Sequence, residues 1–276
     1  MLSASSLGWP SCFYFWGGLT ALCGIGFYFV GKESPKLSTP WKAILTSLPM
    51  WALLITQSAQ TWGFWMLLTK IPSYMSSVLG FDIKKNGMLS SLPYLTAWIL
   101  SFPISCVSDF LIKRRILSTE ASRKVCNSLG QWIPAVALIA LGYIDKDQSE
   151  LAVAILVIAV GSNIAIYCGH NVNHMDLSPN FAGTLMGITN GTANVCGILA
   201  PLVTNVLQWR SIFFLSAGIY IVGNFVFILF GTSKIQKWND PIQKDDETKS
   251  YPASELSMSA VNVQTNKDVE KAEKSS

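Results

Sequence analysis

The stretch AGTLMGITNGTANVCGILAP, residues 182–201, is apolar enough to lie in a membrane, yet it carries glycines at strict four-residue spacing. These glycines are Gly183, Gly187 and Gly191. Because residues i and i+4 of a helix lie on one face, the three glycines form a stripe of small residues. Membrane helices approach each other closely along such stripes. We therefore expect one membrane helix here, packed against a neighbour through its glycine stripe.

Two asparagines in the same stretch, Asn190 and Asn194, repeat at the same interval. A carboxamide that faces lipid without a partner costs on the order of 2–7 kcal/mol, so both should face protein or a watery cavity. Polar, uncharged residues also interrupt other apolar stretches, among them Gln60 and Asn163. Polar side chains on several helices favour a shared aqueous path, which is typical of a transporter.

The composition of the whole chain indicates a membrane protein. Of its 276 residues, 50% are hydrophobic and 13% are charged, whereas a soluble domain has about 25% charged residues. The apolar runs between the charged connectors are long enough to cross ~30 Å of hydrocarbon as helices. The lipid bilayer is therefore an expected partner. The net charge of +4 lies mainly in connectors and does not indicate binding to nucleic acid.

We predict an all-α polytopic membrane protein with about seven spans. The expected spans are Ser11–Val30, Leu48–Thr69, Gly87–Ile112, Val125–Ile144, Leu151–Gly169, Ala182–Leu207 and Ser211–Phe230. Lysine and arginine are concentrated in the connectors after the first and third spans and after the last one. Such connectors usually face the cytoplasm, which places the C-terminus there as well.

No pattern for a metal site, a cofactor or an enzyme is visible. The six cysteines show no C-x-x-C or Cys/His spacing, and nucleophile–base and phosphate-binding motifs are absent. His170 and His174 would lack a third metal ligand. Asn173, His174 and Asp176 are expected in a cytoplasmic loop, with Asp176 and Asn180 in turn or capping roles. A titrating His174 that acts as a coupling site is the alternative, since imidazole changes charge near neutral pH.

Ionisable residues are rare in the predicted spans. No Asp, Glu, Lys or Arg lies well inside any span, and Lys70, Asp109 and His170 are expected near span ends, where water can reach them. Proton relays and anion clamps usually depend on an ionisable group within the membrane. The sequence therefore contains no evident complete relay.

Five segments resemble the anion:cation symporter family of the major facilitator superfamily. They are GWPSCFYFWGGL, LGFDIKKNGMLSSLPYL, ILSTEASRKVCNSLG, NVNHMDLSPNFAGTLMGITNG and KWNDP. The resemblance covers residues 1 to about 243. The family includes sodium/phosphate cotransporters, sialin and vesicular glutamate transporters, and the chain resembles in particular the invertebrate inorganic phosphate cotransporters.

The resemblance implies a twelve-helix fold made of two six-helix halves. On this basis we expect an N-terminally truncated chain, with one transmembrane helix in 1–31, the central cytoplasmic loop in 32–47, the second six-helix half in 48–231 and a disordered cytoplasmic tail in 232–276. The missing N-terminal half or a full-length relative would then be a partner.

Two motifs of the family can be placed on this sequence. The segment SDFLIKRR resembles a short cytoplasmic motif, with Asp109, Lys113 and Arg114 at its charged positions; simple positive-inside anchoring is the alternative. The segment QSAQTWGFW resembles the helix that lines the central cavity. Vesicular glutamate transporters have an arginine where this chain has Gln60 and a tyrosine where it has Trp65, which argues against a glutamate-type substrate. The cavity candidates are Gln60, Phe64, Trp65, Asn163, Asn190 and Asn194.

These patterns predict secondary-active transport of inorganic phosphate or a small organic anion across the plasma membrane or a lysosomal or vesicular membrane. Coupling to Na⁺ or H⁺ is implied by the resemblance. One alternative is a non-transporting half that acts only as an interaction partner, or an unstable fragment. A seven-helix receptor would share the span count, but the D-R-Y and N-P-x-x-Y signatures are absent.

Overall fold

The computed structural model describes residues 10–30, 38–77, 83–144, 146–205 and 207–240. Two separate units divide the chain, 1–38 and 39–276. The first unit contains helix α1 (Pro10–Val30). The second contains α2 (Trp41–Leu45), α3 (Leu48–Ser77), α4 (Ile83–Lys113), α5 (Thr119–Leu141), α6 (Ser149–Asn163), α7 (His170–Leu177), α8 (Ala182–Thr204) and α9 (Trp209–Phe230). No strand occurs in these described ranges.

Five helical segments of the described residues are long and apolar enough to cross a membrane. They are Ser91–Lys113, Thr119–Leu141, Ser149–Leu177, Pro179–Thr204 and Trp209–Phe230, and they confirm the last five of the seven predicted spans. In α1 the apolar described segment is shorter, Gly17–Phe29. Helix α3 is 30 residues long, but the amides and hydroxyls in its first half keep it out of this set. The fold is that of a polytopic, all-α membrane protein.

Helix α5 begins six residues before the predicted span. Ser118 has an extended backbone, and its side chain accepts a hydrogen bond of 3.1 Å from the backbone N–H of Ala121. A serine N-cap of this kind satisfies one of the free N–H groups in the first helical turn. As a result, Arg123 and Lys124, which were predicted to lie in a connector, are part of the helix.

The fifth predicted span continues beyond Gly169 instead of ending there. After α6 the chain forms a 3-10 turn, Ile164–Cys168, and then the short helix α7. A Cβ at Gly169 would lie 2.9 Å from the backbone nitrogen of Asn127, so only glycine permits this close approach. The prediction that Asn173 and His174 lie in a loop is wrong, because both are helical and buried.

The second unit has a polar layer between two apolar clusters. One cluster includes the buried apolar residues of α3 between Met66 and Met75 and those of α9 between Ile212 and Tyr220. The other includes Met50, Leu53 and Phe227. Between them on α3 and α9 are the polar residues Thr56, Gln57, Gln60 and Asn224. Since this layer begins about nine residues along α3, it lies on the order of 13 Å from that helix end.

Tight helix contacts use other glycines than the predicted stripe. A Cβ at Gly183, Gly187 or Gly191 would meet nothing within 4 Å among the described residues. The prediction that this stripe brings α8 against a neighbouring helix is therefore wrong for the described chain. By contrast, a Cβ at Gly197 would lie 2.5 Å from the ring of Trp65. A Cβ at Gly223 would lie 2.5 Å from the Cβ of Ala59.

The outer faces of α4 and α8 are largely uncovered. Only 11% of the apolar window of α4 and 22% of that of α8 is buried, against 50% in α5. Helix α8 contacts α3 through its other side, where Leu185, Thr189 and Ala193 are buried. The exposed stripe of α8 therefore faces lipid or a further protein surface.

The segment after α9 is partly ordered. The prediction of a disordered tail from residue 232 is wrong for 232–240, since Gln236 donates its backbone N–H to Leu177 over 3.0 Å. Asn239 is buried and accepts hydrogen bonds from the Ser178 hydroxyl at 2.8 Å and from the Asn180 backbone at 3.1 Å. Residues 241–276 lie outside the described residues.

Candidate functional site

An open cleft of about 400 Å³ lies beside the polar layer. Helices α3, α4, α6 and α7 and the 3-10 turn Ile164–Cys168 form its walls. Its lining residues are uncharged, combining amides, hydroxyls, aromatic rings and aliphatic side chains: Gln57, Gln60, Thr61, Phe64, Tyr94, Ala97, Trp98, Ser101, Val160, Asn163, Ile164, Ile166, Tyr167 and Asn171. A mostly apolar cleft with a few convergent polar groups is the usual form of a small-molecule site.

The centre of the cleft is a pair of amides on α3 and α6. Gln60 Nε2 donates to Asn163 Oδ1 over 2.6 Å, and Asn163 Nδ2 donates to Gln60 Oε1 over 3.2 Å. Asn163 Nδ2 also donates to the backbone carbonyl of Gly130 over 2.7 Å. Gln60 is buried and Asn163 is half-buried. The pair ties the α6 end of the broken span to α3 and presents polar atoms at the cleft wall.

A second set of polar residues joins five helices behind the cleft. Gln57 Nε2 donates to Asn190 Oδ1 on α8 over 2.8 Å, and Gln57 Oε1 lies 2.8 Å from His170 Nε2 on α7. His170 Nδ1 lies 2.6 Å from Asn127 Oδ1 on α5. Asn127 Nδ2 donates to Asn224 Oδ1 on α9 over 2.8 Å. We call this set the amide chain.

Three of the six cavity candidates line the cleft, namely Gln60, Phe64 and Asn163. Asn190 is placed against α3 through Gln57 and lies outside the cleft lining. The other two candidates have different positions. Trp65 packs against Gly197 of α8, and Asn194 is exposed, with its Nδ2 donating to the backbone carbonyl of Asn190 over 2.9 Å. Neither is in the cleft lining, so the structure does not bring the six together.

The family model for the Major Facilitator Superfamily matches residues 1–201 of the chain. The chain belongs to the major facilitator superfamily. This identification fits the helical, multi-pass structure and the cleft formed between its helices.

Curated members of this superfamily are similar over most of the chain. A Drosophila melanogaster protein named "Putative inorganic phosphate cotransporter" is 39% identical over an alignment of 277 residues, covering 88% of this chain and 52% of that protein. Human sialin is 37% identical over 212 residues, covering 74% of this chain and 43% of sialin. Human vesicular glutamate transporter 2 is 30% identical over 276 residues, covering 87% and 47%. The chain thus spans about half the length of the curated relatives it matches.

The charged positions of the short motif in this major facilitator form no ion pair among the described residues. Asp109 and Lys113 lie at the exposed end of α4, and the Arg114 guanidinium lies 5.4 Å from the Phe110 ring centre. The Arg123 and Asp176 side chains do pair, with Nε and Oδ2 2.7 Å apart. Asp176 therefore holds α7 against α5, and its predicted role as a turn or capping residue is wrong.

Sequence reasoning missed the most buried polar residues of the site. His170 was expected near a span end within reach of water, but its side chain is completely buried. Asn127 is also completely buried, and it was not among the candidates. The available signal was an amide inside an otherwise apolar span. The break at Gly169 was not visible in the sequence, and this break turns His170 into the bundle.

Among the described residues, no group of three or more His, Cys, Asp or Glu side chains is arranged to hold a metal ion. The described polar residues of the cleft are amides, hydroxyls and an indole, which can donate hydrogen bonds and, except for the indole, accept them. The arrangement can therefore bind a polar solute without covalent chemistry.

Proposed function

We propose that this chain takes part in secondary-active transport of inorganic phosphate or a small organic anion, driven by Na⁺ or H⁺. The named relatives support this proposal, since they are a phosphate cotransporter, sialin and a vesicular glutamate transporter. A transport role needs no covalent step, and the proposal therefore does not include enzymatic activity.

The observation that carries the proposal is the reciprocal Gln60–Asn163 pair at the wall of an uncharged cleft. Each amide can exchange its partner for a solute oxygen, because its N–H groups donate equally well to an anion. The Gln60 and Asn163 side chains are on α3 and α6, so a bound solute would bridge these two helices. A shift of one helix against the other would then alter the binding site, as alternating access requires.

A second helix bundle is the partner that we propose for transport. The outer faces of α4 and α8 have few buried residues, and Trp98 of α4, which lines the cleft, is 62% exposed. A bundle that covered this side would close the cleft around a solute. Either an N-terminal six-helix half or a full-length relative would supply this bundle.

The proposed orientation places the C-terminus in the cytoplasm of a cell whose plasma membrane, lysosomal membrane or vesicular membrane contains the protein. The lysine and arginine distribution supports this orientation. An epitope fused after Ser276 should therefore be detected in intact cells only after the plasma membrane is permeabilised, whichever of these membranes contains the protein.

An alternative role is a non-transporting half that associates with relatives or is degraded. The exposed faces of α4 and α8 favour it, because uncovered polar and glycine positions in a membrane are contact sites in need of a partner.

Reconstituted vesicles separate the two roles. Labelled inorganic phosphate uptake is measured with the 276-residue chain alone and with the first six helices of the Drosophila melanogaster relative added. We expect uptake in the combined vesicles, and a loss of at least about tenfold in Gln60→Leu, since the substitution removes the donor and the acceptor of the Gln60 amide. Ser58→Ala is the matched control, because Ser58 is on the same helix but lines a different groove.

Equal uptake by Gln60→Leu and the unmodified chain would contradict the assigned site. An absence of uptake of phosphate, sialic acid and glutamate in the combined vesicles, with both parts correctly inserted, would favour the non-transporting role.

A further inference from the structure

His170 is the residue from which a further site can be derived. It is the first residue of α7, directly after the Gly169 break, and its side chain has no exposed surface. Its two ring nitrogens each face an amide oxygen, Nδ1 at 2.6 Å from Asn127 and Nε2 at 2.8 Å from Gln57. A neutral imidazole has one N–H donor and one acceptor nitrogen. Only the doubly protonated ring can donate to both oxygens.

The amides on both sides of the ring have the same orientation relative to it. On one side Asn127 turns its oxygen to the ring and donates outward to Asn224 over 2.8 Å, and Asn224 donates onward to the Ser128 hydroxyl over 3.0 Å. On the other side Gln57 turns its oxygen to the ring and donates outward to Asn190 over 2.8 Å. We call each amide and its outward hydrogen bonds an arm: the Asn127 arm on one side of the ring and the Gln57 arm on the other. Both arms point their amide oxygens at the ring, as a cation between them requires.

Loss of one proton from the ring would require one arm to reverse. Reversing the Asn127 arm would turn two completely buried amides and would remove the donor that Ser128 supplies to the Lys124 carbonyl over 2.8 Å. Reversing the other arm turns only Gln57 and the half-buried Asn190, and both hydrogen bonds re-form with donor and acceptor exchanged. The proton on His170 is thus linked to the orientation of the Gln57 amide.

Gln57 also lines the cleft. We propose that His170 is a proton-binding site coupled through Gln57 to the anion cleft, so that a proton and an anion occupy the protein together. The proposal rests on the proposed function. The described lining residues of the cleft include no lysine or arginine, and an anion taken out of water needs a counter-charge. The doubly protonated His170 ring supplies this charge from behind one amide side chain.

The other titratable groups near His170 have partners of their own. On its own helix, His174 is one turn away, and Asp176 pairs with Arg123 of α5. Also on α5, Lys124 pairs with Glu120 over 2.7 Å. Two described thiols adjoin this site in the sequence: Cys126 precedes Asn127, and Cys168 lies two residues before His170. Helix α3 presents Gln57 to the ring and α9 presents Phe227, with ring centres 6.4 Å apart; α8 contributes Asn190 only through Gln57.

His174 provides a matched control, because its surroundings suit a neutral ring. Its Nδ1 lies 3.0 Å from the Asn171 carbonyl oxygen, to which it donates, and its Nε2 lies 2.9 Å from the Thr189 hydroxyl. A hydroxyl can donate as well as accept, so one ring proton satisfies both contacts. No amide has to turn over.

The chain has only two histidines, which makes the proton directly observable. The 276-residue chain is labelled with ¹⁵N-histidine, placed in lipid nanodiscs and followed by NMR from about pH 5 to 8. In His174→Gln only the His170 signals remain, and in His170→Gln only the His174 signals remain. Each sample is measured in inorganic phosphate and in chloride at equal ionic strength.

We expect His170 to become doubly protonated in phosphate at the acid end of this range, since burial of the ring opposes its charge unless an anion balances it, and His174 to remain neutral. Phosphate should raise the doubly protonated fraction of His170. The proton affinity of the ring should be about fivefold or more higher in phosphate than in chloride. In Gln57→Leu this response to phosphate should disappear. If His170→Gln does not fold, the unmodified chain and His174→Gln still contain the deciding signals.

A His170 ring that stays singly protonated throughout, with and without phosphate, would overturn the proposal, as would titration that phosphate leaves unchanged. Uptake by the combined vesicles distinguishes a failure of the proposed transport function from a failure of the proton site. Phosphate-linked protonation without uptake contradicts the proposed function and leaves the proton site standing. Uptake that is independent of pH, together with a neutral ring, contradicts the proton site alone.

Discussion

Glycine in this protein has two different roles, depending on what its missing side chain would meet. A side chain at Gly63 would overlap the ring of Tyr220, which is completely buried. A side chain at Gly187 would meet nothing within 4 Å among the described residues. Both residues are helical and both lie in apolar surroundings, so their sequence contexts are alike. Their contacts distinguish them.

Replacing Gly63 and Gly187 by alanine should therefore have opposite effects. Gly63→Ala forces Tyr220 to move and should lower stability by about 1–3 kcal/mol, the usual cost of overpacking. Gly187→Ala should be neutral or slightly stabilising, because alanine favours a helix by about 1 kcal/mol over glycine. Thermal unfolding of each variant in detergent measures the difference. A Gly63→Ala midpoint at or above that of Gly187→Ala would contradict this assignment of the close contact.

At the scale of elements, the broken span from α6 to α7 depends on a few polar clamps. Arg123 of α5 pairs with Asp176 of α7 over 2.7 Å, and its Nη1 donates over 3.2 Å to the carbonyl of Cys168, where the 3-10 turn ends. The two side chains of the pair are 12% and 19% exposed. The clamp holds α7 at the depth at which His170 meets the amide chain.

Removing one partner of this clamp should destabilise the chain more than removing one partner of the more exposed Lys124–Glu120 pair on α5. Asp176→Asn leaves Arg123 without its counter-charge, and the expected loss is about 2–3 kcal/mol, reduced from the buried limit because some water reaches the pair. Glu120→Gln, which affects the Lys124–Glu120 pair with side chains 25% and 33% exposed, should cost about 1 kcal/mol or less.

Thermal unfolding at low and high salt tests this comparison. The midpoint of Glu120→Gln should approach that of the unmodified chain as salt screens the exposed pair, whereas the deficit of Asp176→Asn should persist. Equal midpoints for the two variants would show that the Arg123–Asp176 clamp contributes no more than an exposed ion pair.

At the scale of the whole molecule, the second unit has an enclosed polar interior and largely exposed outer faces on α4 and α8. The amide chain is enclosed by α3, α5, α7, α8 and α9, whereas the outer faces of α4 and α8 are mostly exposed. Gly183, Gly187 and Gly191 lie on the open face of α8. Small residues permit the closest approach of a second bundle, which agrees with the partner that we propose.

Gly187→Leu should consequently impair assembly and leave folding of the 276-residue chain intact. The added side chain has space within the chain but would separate α8 from a bundle packed on its open face. We expect an unfolding midpoint close to that of the unmodified chain and a loss of at least about tenfold in association with the first six helices of a relative. Co-purification of the two parts, with an unfolding curve of each variant, measures both effects.

Val136→Leu is the matched control, because Val136 is 65% exposed on α5, a helix that supplies none of the glycines of the stripe. Association that Gly187→Leu leaves unchanged would show that the glycine stripe faces lipid.

The sequence by itself determined the membrane class, the approximate helix positions and the superfamily. These properties depend on local or additive quantities: hydropathy over about 20 residues, charge in the connectors, and motifs such as NVNHMDLSPNFAGTLMGITNG. The last five spans were predicted to within a few residues at most ends, except where a cap or a break intervened. Ser118 begins α5 early, and Gly169 allows the chain to continue into α7.

Only the tertiary structure decided which polar residues meet. Gln60 and Asn163 are 103 residues apart and form a reciprocal pair, and Gln57 and His170 are 113 residues apart and in hydrogen-bond contact. The four-residue spacing placed Gly183, Gly187 and Gly191 on one face but could not show which neighbour, if any, that face contacts. Periodicity fixes the rotation of a residue around its own helix axis, whereas a contact also depends on the position and tilt of a second helix, and these follow from packing over the whole bundle.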